Sequence, residues 1–143
     1  MRSLLAASLL LLAGCGGVGF ERPISDREFA LEAEIRDFYS ELGRAYSAGD
    51  AQALALLYDP GIATPMTHDQ IQAWVDQFFA ERGPAAFNIL ALSFEQLGAD
   101  RAVVRIKYDV APFGKKPGFQ GFELDTLVRR FGRWYIASWE RLY

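Results

Sequence analysis

Few side chains in this sequence belong to types that do chemistry unaided. The only histidine, His68, follows Thr67 at the start of an apolar-periodic stretch. An imidazole there titrates near neutrality and could act as a general base at a pocket mouth, or simply stand exposed in a helix's first turn. The strand carboxylates best placed for acid–base work are Asp109, Asp125 and Glu140. A regular register puts Asp125 and Glu140 on one face of the last hairpin, where like charges would raise one pKa. On a concave face that pair would be an active site; on a convex face it would be a solvated rim beside Arg129. One histidine and one cysteine are too few for a zinc or haem centre, so neither metal nor cofactor is expected. The chain carries no Gly-x-Ser-x-Gly, Walker loop or dinucleotide fingerprint. Tyr39, Tyr46, Tyr58, Trp74, Tyr108 and Trp139 could line a cavity in which a flat apolar ligand stacks, or could fill a core.

Charge excludes one class of partner. Eighteen acids outnumber 15 lysines and arginines, for a formal charge of −3 in 143 residues. Nothing in that balance calls for nucleic acid, and Lys115-Lys116 is too short a basic run to argue for one.

The N-terminus reads as an export signal. Arg2 supplies a positive start, Leu4 to Leu12 an apolar run, and Ala13-Gly14 a small-residue cleavage site. The run is too short to span a bilayer, which takes roughly 20 residues. Leu12-Ala13-Gly14-Cys15 resembles the lipobox of bacterial lipoproteins. That resemblance implies cleavage after Gly14, a lipid-bearing Cys15, and a place in the cell envelope. With Gly16 rather than aspartate after the cysteine, the same resemblance implies the outer membrane, facing the periplasm. The expected organisation is a signal peptide over 1–14, lipidated cysteine and tether over 15–24, and one domain over 25–143.

The elements that must position these groups are legible in the apolar pattern. Ser25 and Glu28 form a capping box, and Leu31, Ile35, Phe38, Leu42 and Ala45 then recur at helical spacing until Gly49. Asp50 caps a short second helix through Leu54, Leu57 and Tyr58. Thr67 and Gln70 cap a third, carrying Ile71, Trp74, Val75, Phe78 and Phe79 to Gly83-Pro84. The period then changes to alternation, which predicts strands near 87–97, 101–112, 118–131 and 133–142. Short connections make them an antiparallel meander. In the last hairpin one face collects Phe122, Leu124, Val128, Ala137 and Trp139; the other collects Leu127, Phe131, Trp134 and Ile136. Helices can cover only one such face, so the other predicts a homodimer through the sheet.

Three helices followed by a curved α+β meander ending in Gly132-Arg133-Trp134-Tyr135-Ile136 resemble the nuclear transport factor 2-like superfamily, including its SnoaL-like and ketosteroid-isomerase-like members. The Gly49-Asp50 break and Ala53 to Tyr58 are similar to its opening helices. The resemblance implies a cone-shaped roll enclosing a pocket, often in a dimer. Many enzymatic members insert a β-hairpin between the second and third helices, for which Asp59 to Met66 leaves no room; the pocket should be more open, with no carboxylate buried beside a substrate-sized void. Three functions follow as expectations. The domain binds a small apolar ligand or a protein partner without catalysis, serves as a structural module of an envelope complex, or is an isomerase- or dehydratase-like enzyme.

Overall fold

The computed structural model describes residues 23–143. The expected signal peptide over 1–14, Cys15 and most of the expected tether lie outside the described residues.

Local sequence rules set the helices. Helix α1 spans Asp26–Ala48. Its capping box is formed: the Ser25 hydroxyl accepts from the Glu28 amide, and the Glu28 carboxylate accepts from the Ser25 amide. Gly49, in the left-handed region at φ 65°, ends it. The buried stripe is Leu31, Ile35, Phe38, Leu42 and Ala45, with Tyr39 and Tyr46 beside it. Helix α2 is a single short turn, Ala51–Ala55, capped by the Asp50 side chain. It ends before Leu57 and Tyr58 because that chain turns to join the sheet instead. Asp59 N–H donates to the Ile136 carbonyl, and Ile136 N–H donates to that of Leu57. Arg130 locks the junction with two hydrogen bonds to Asp59 Oδ2, at 3.1 and 2.9 Å. Helix α3 spans His68–Arg82, again from a formed capping box, Thr67 with Gln70.

Four strands follow: β1 (Ala85–Leu97), β2 (Arg101–Pro112), β3 (Phe119–Arg130) and β4 (Arg133–Arg141), in the order β1-β2-β3-β4, each pair antiparallel. The fold is therefore α+β, three helices and then a four-stranded meander. The helices pack on one sheet face, and the core lies between. Ala102, Val104, Ile106 and Val110 of β2, Leu127 of β3 and Ile136 of β4 are all buried there.

Register in the last hairpin departs from the sequence expectation. Leu127 pairs with Ile136, but Thr126 pairs with Ser138, so Ala137 is an extra residue in β4. Beyond it the alternation inverts. Trp139, expected beside Phe122 and Leu124, instead shares the helix-covered face with Asp125, its cross-strand partner. Glu140 pairs with Leu124 on the outer face and is exposed. Asp125 and Glu140 are thus on opposite faces, and the dyad drawn between them does not form. Arg129 is not on an outer rim either: it pairs with Trp134 in the ladder and reaches Glu34 of α1. Phe131, expected on an apolar face, occupies the two-residue turn with Gly132. Both have positive φ (51° and 75°), and the Phe131 side chain is fully exposed.

Candidate functional site

The inner face of β3 carries an alternating row: Phe119, Gly121, Glu123, Asp125, Leu127. Opposite it on β2 stand Val110, Tyr108, Ile106, Val104 and Ala102. Gly121 matters most. A Cβ there would lie far inside contact distance of Tyr108 Cζ, so glycine lets that ring lie across the strand. The Tyr108 hydroxyl is thereby carried one step along β3, where it donates to Glu123 Oε1 at 2.8 Å.

One step further along the row lies Asp125, only 3% exposed. The Tyr39 hydroxyl of α1 donates to its Oδ2 at 2.7 Å, and Oδ1 has no hydrogen-bond partner among the described residues. Burial pushes the Asp125 carboxyl up to about 7; the Tyr39 bond draws it down and neighbouring Glu123 pushes it further up. Burial also raises Glu123, opposed by the bond from Tyr108 and by the charge of Arg141. The surrounding phenols, Tyr39, Tyr46, Tyr58 and Tyr108, are all raised, chiefly by burial, and so remain protonated donors at neutral pH. Two carboxyls ringed by four phenols can hold and move protons, and one of them titrates near neutrality.

Above this row a cavity of about 660 Å³ opens between α3 and the sheet. Tyr46 of α1, Tyr58, Met66, Trp74 and Phe78 of α3, Tyr108, Phe119 and Trp139 supply its apolar walls, and Glu123 its deepest charged group. Tyr58 meets Trp139 edge to face at 5.5 Å, and Trp74 stacks on Phe78 at 5.8 Å. Glu81, Arg82 and Arg141 stand at the mouth, and Arg82 donates to the Pro117 carbonyl at 2.6 Å, tying the β2–β3 loop to α3.

The structure brings Tyr58, Trp74, Tyr108 and Trp139 around this cavity and leaves Tyr39 beneath it as the partner of Asp125. His68 is elsewhere: its Nε2 lies 3.0 Å from the Ala55 carbonyl, joining α3 to the end of α2. Asp109 sits on the outer face with Asn88. No hairpin fills the stretch between α2 and α3, and Met66 reaches the cavity from it. The expectation that no carboxylate would be buried beside a void is overturned. Glu123 lines the cavity, and Asp125 is the next inward residue. Sequence reasoning missed Glu123, although it shares parity with Asp125 and Leu127 and could have been read from that alternation. Among the described residues, no group of three or more His, Cys, Asp and Glu could hold a metal ion.

The fold has parallels among solved structures. The chain superposes on a putative scytalone dehydratase from Novosphingobium aromaticivorans (TM-score 0.66, 13% identity, 81% of this chain and 85% of that one). It also superposes on an NTF-2 like protein of unknown function from Shewanella oneidensis (0.64, 15%, 77% and 97%). A third is a protein of unknown function from Mycobacterium tuberculosis (0.68, 17%, 86% and 76%). No family model matches the sequence, and no curated protein does. The fold is NTF2-like. At these identities the likeness extends to the fold and not to the activity.

Proposed function

We propose that the domain binds a small, flat, largely apolar molecule in the cavity on its helix-covered sheet face, and that lipid on Cys15 holds it at a membrane of the bacterial envelope. The observation that carries the binding reading is the cavity itself. Its 660 Å³ is in the range of small-molecule sites. Aromatic walls converge on it from α1, α3, β2, β3 and β4 around one hydrogen-bonded polar couple, Glu123 with Tyr108. Apolar walls supply affinity, and the couple supplies orientation. Titrating the full-length protein with 1-naphthalenemethanol, followed by the indole NMR signals of Trp74 and Trp139, tests this. Saturable shifts of both are expected; an unmoved Trp139 at probe saturation refutes the reading.

Acid–base catalysis in the same cavity is a second reading, favoured by the buried Asp125 with its pKa near 7. Asp125 does not line the cavity, and one of its oxygens is held by Tyr39. The group touching a substrate would therefore be Glu123, whose charge helps raise the Asp125 carboxyl behind it. The putative scytalone dehydratase among the similar folds makes dehydration the reaction to try first. Turnover abolished by Glu123→Gln establishes this reading. Failure of every hydroxy-ketone tested to turn over, while still binding, leaves the non-catalytic one.

A homodimer remains part of the proposal. Phe122, Leu124, Val128 and Tyr135, half-buried on the uncovered face of β3 and β4, would form its centre.

A further inference from the structure

We propose that the cavity selects organic cations: ligands with an apolar, preferably aromatic, body and a protonated amine directed at Glu123. This rests on the binding reading above and names the ligand class.

The balance of donors and acceptors carries it. The inner wall holds the Glu123 carboxyl and phenols; of the two guanidiniums on the lining, Arg82 stands at the mouth and Arg141, the cross-strand partner of Glu123, offsets only part of its charge. A ligand that brings donors and positive charge to the Glu123 carboxyl gains more here than a neutral one, because hydrogen bonds between charged partners are the stronger ones. Each of the two guanidiniums also has a backbone carbonyl partner. Arg82 donates to the Pro117 carbonyl and lies over the Phe78 ring, and Arg141 Nε donates to the Tyr143 carbonyl. A ligand carboxylate reaching the depth of Glu123 would face that carboxyl.

The aromatic walls point the same way. Ring faces attract cations, most strongly where water is excluded. Tyr58 and Trp139, set edge to face, and Tyr108, which donates to Glu123, line the same cavity as that carboxyl. An ammonium among them gains a salt bridge to Glu123 and contact with the ring faces together. The alcohol of the same frame gains one neutral hydrogen bond.

The test uses three probes on one frame: 1-naphthylmethylamine, 1-naphthalenemethanol and 1-naphthoic acid, titrated calorimetrically into the full-length protein with the Trp139 indole signal reporting location. The amine should bind at least about tenfold tighter than the alcohol, a difference of about 1.4 kcal/mol, and the acid weakest. In Glu123→Gln the amine's advantage over the alcohol should fall to within about threefold. The ranking in the unmodified protein decides the matter even if that variant does not fold. Alcohol or acid binding as tightly as the amine at the Trp139 site would overturn cation selection and leave the cavity reading standing. Absence of any Trp139 shift with all three probes would remove both.

Discussion

Replacing Asp125 by asparagine should change how stability depends on pH, by an amount the burial of that carboxyl sets. Its pKa rises from an ordinary 3.8 in the unfolded chain to about 7 in the folded one. Folding therefore favours the neutral acid. Between about pH 4 and pH 7 the native state binds the proton that the unfolded state has released, so stability falls as pH rises through that window. About three units, at 1.36 kcal/mol each, amount to about 4 kcal/mol lost between acid and alkaline solution. That is a large share of the roughly 5–15 kcal/mol typical of a domain. Asparagine keeps the shape and can still accept from Tyr39, but it does not titrate. Its amide brings N–H groups to where Oδ1 has no partner, a pH-independent cost of about 1–3 kcal/mol.

The two effects separate by their pH dependence. Urea unfolding of both proteins at several pH values gives the difference, wild type minus variant, in which titration of every other group cancels to first order. It should swing by about 4 kcal/mol from about pH 4 to pH 8, with the variant gaining on wild type as pH rises. At a slope of about 2 kcal/mol per molar, midpoints should shift relative to one another by about 2 M urea. Parallel curves, with a difference constant to within about 0.5 kcal/mol, would show that Asp125 ionises normally and refute the reasoning.

Gly121→Ala should force the Tyr108 ring off β3, costing about 1–3 kcal/mol in urea unfolding and weakening probe binding in the cavity. Phe131→Asn should stabilise the protein by about 0.5–1 kcal/mol, because asparagine tolerates the left-handed φ of 51° at the β3–β4 turn better than phenylalanine; denaturant midpoints check it. Cys15→Ala should abolish labelling by a palmitate analogue, and absence of label in the unmodified protein would refute the anchor. Sedimentation equilibrium at micromolar concentration should give a dimer mass, and a clean monomer would refute association through the sheet.

What the sequence disclosed was whatever local chemistry decides. The capping boxes at Ser25 and Thr67 and the stop at Gly49 each depend on residues within one turn, and the structure forms all three. The meander followed from connections too short for anything else. What the sequence concealed was set by tertiary contact. Helix α2 ends early because Leu57 and Asp59 bond to Ile136, nearly eighty positions away. His68 reaches a backbone carbonyl of α2 because α2 and α3 pack together, which no spacing rule shows. Glu123 was visible as parity but not as depth. Its burial depends on Gly121 letting Tyr108 cross the strand.

The extra residue at Ala137 decides the chemistry of the site more than any side chain in it. In a regular ladder continued from Leu127 and Ile136, Ser138 would stand opposite Asp125 and Glu140 opposite Glu123. The inner face would then carry three carboxyls in contact range, and repulsion among them would act against folding. With the bulge, each inward position moves on by one residue. Trp139 comes opposite Asp125 and Arg141 opposite Glu123, while Glu140 turns out to solvent. A single inserted residue thus exchanges a hydroxyl and a third acid for an indole wall and a compensating charge. The same insertion adds the Trp139 indole to the cavity wall and keeps Glu123 from rising further, since Arg141 lowers its pKa. Binding capacity and the tolerable burial of two acids therefore share one cause, a register shift that side-chain type alone does not encode.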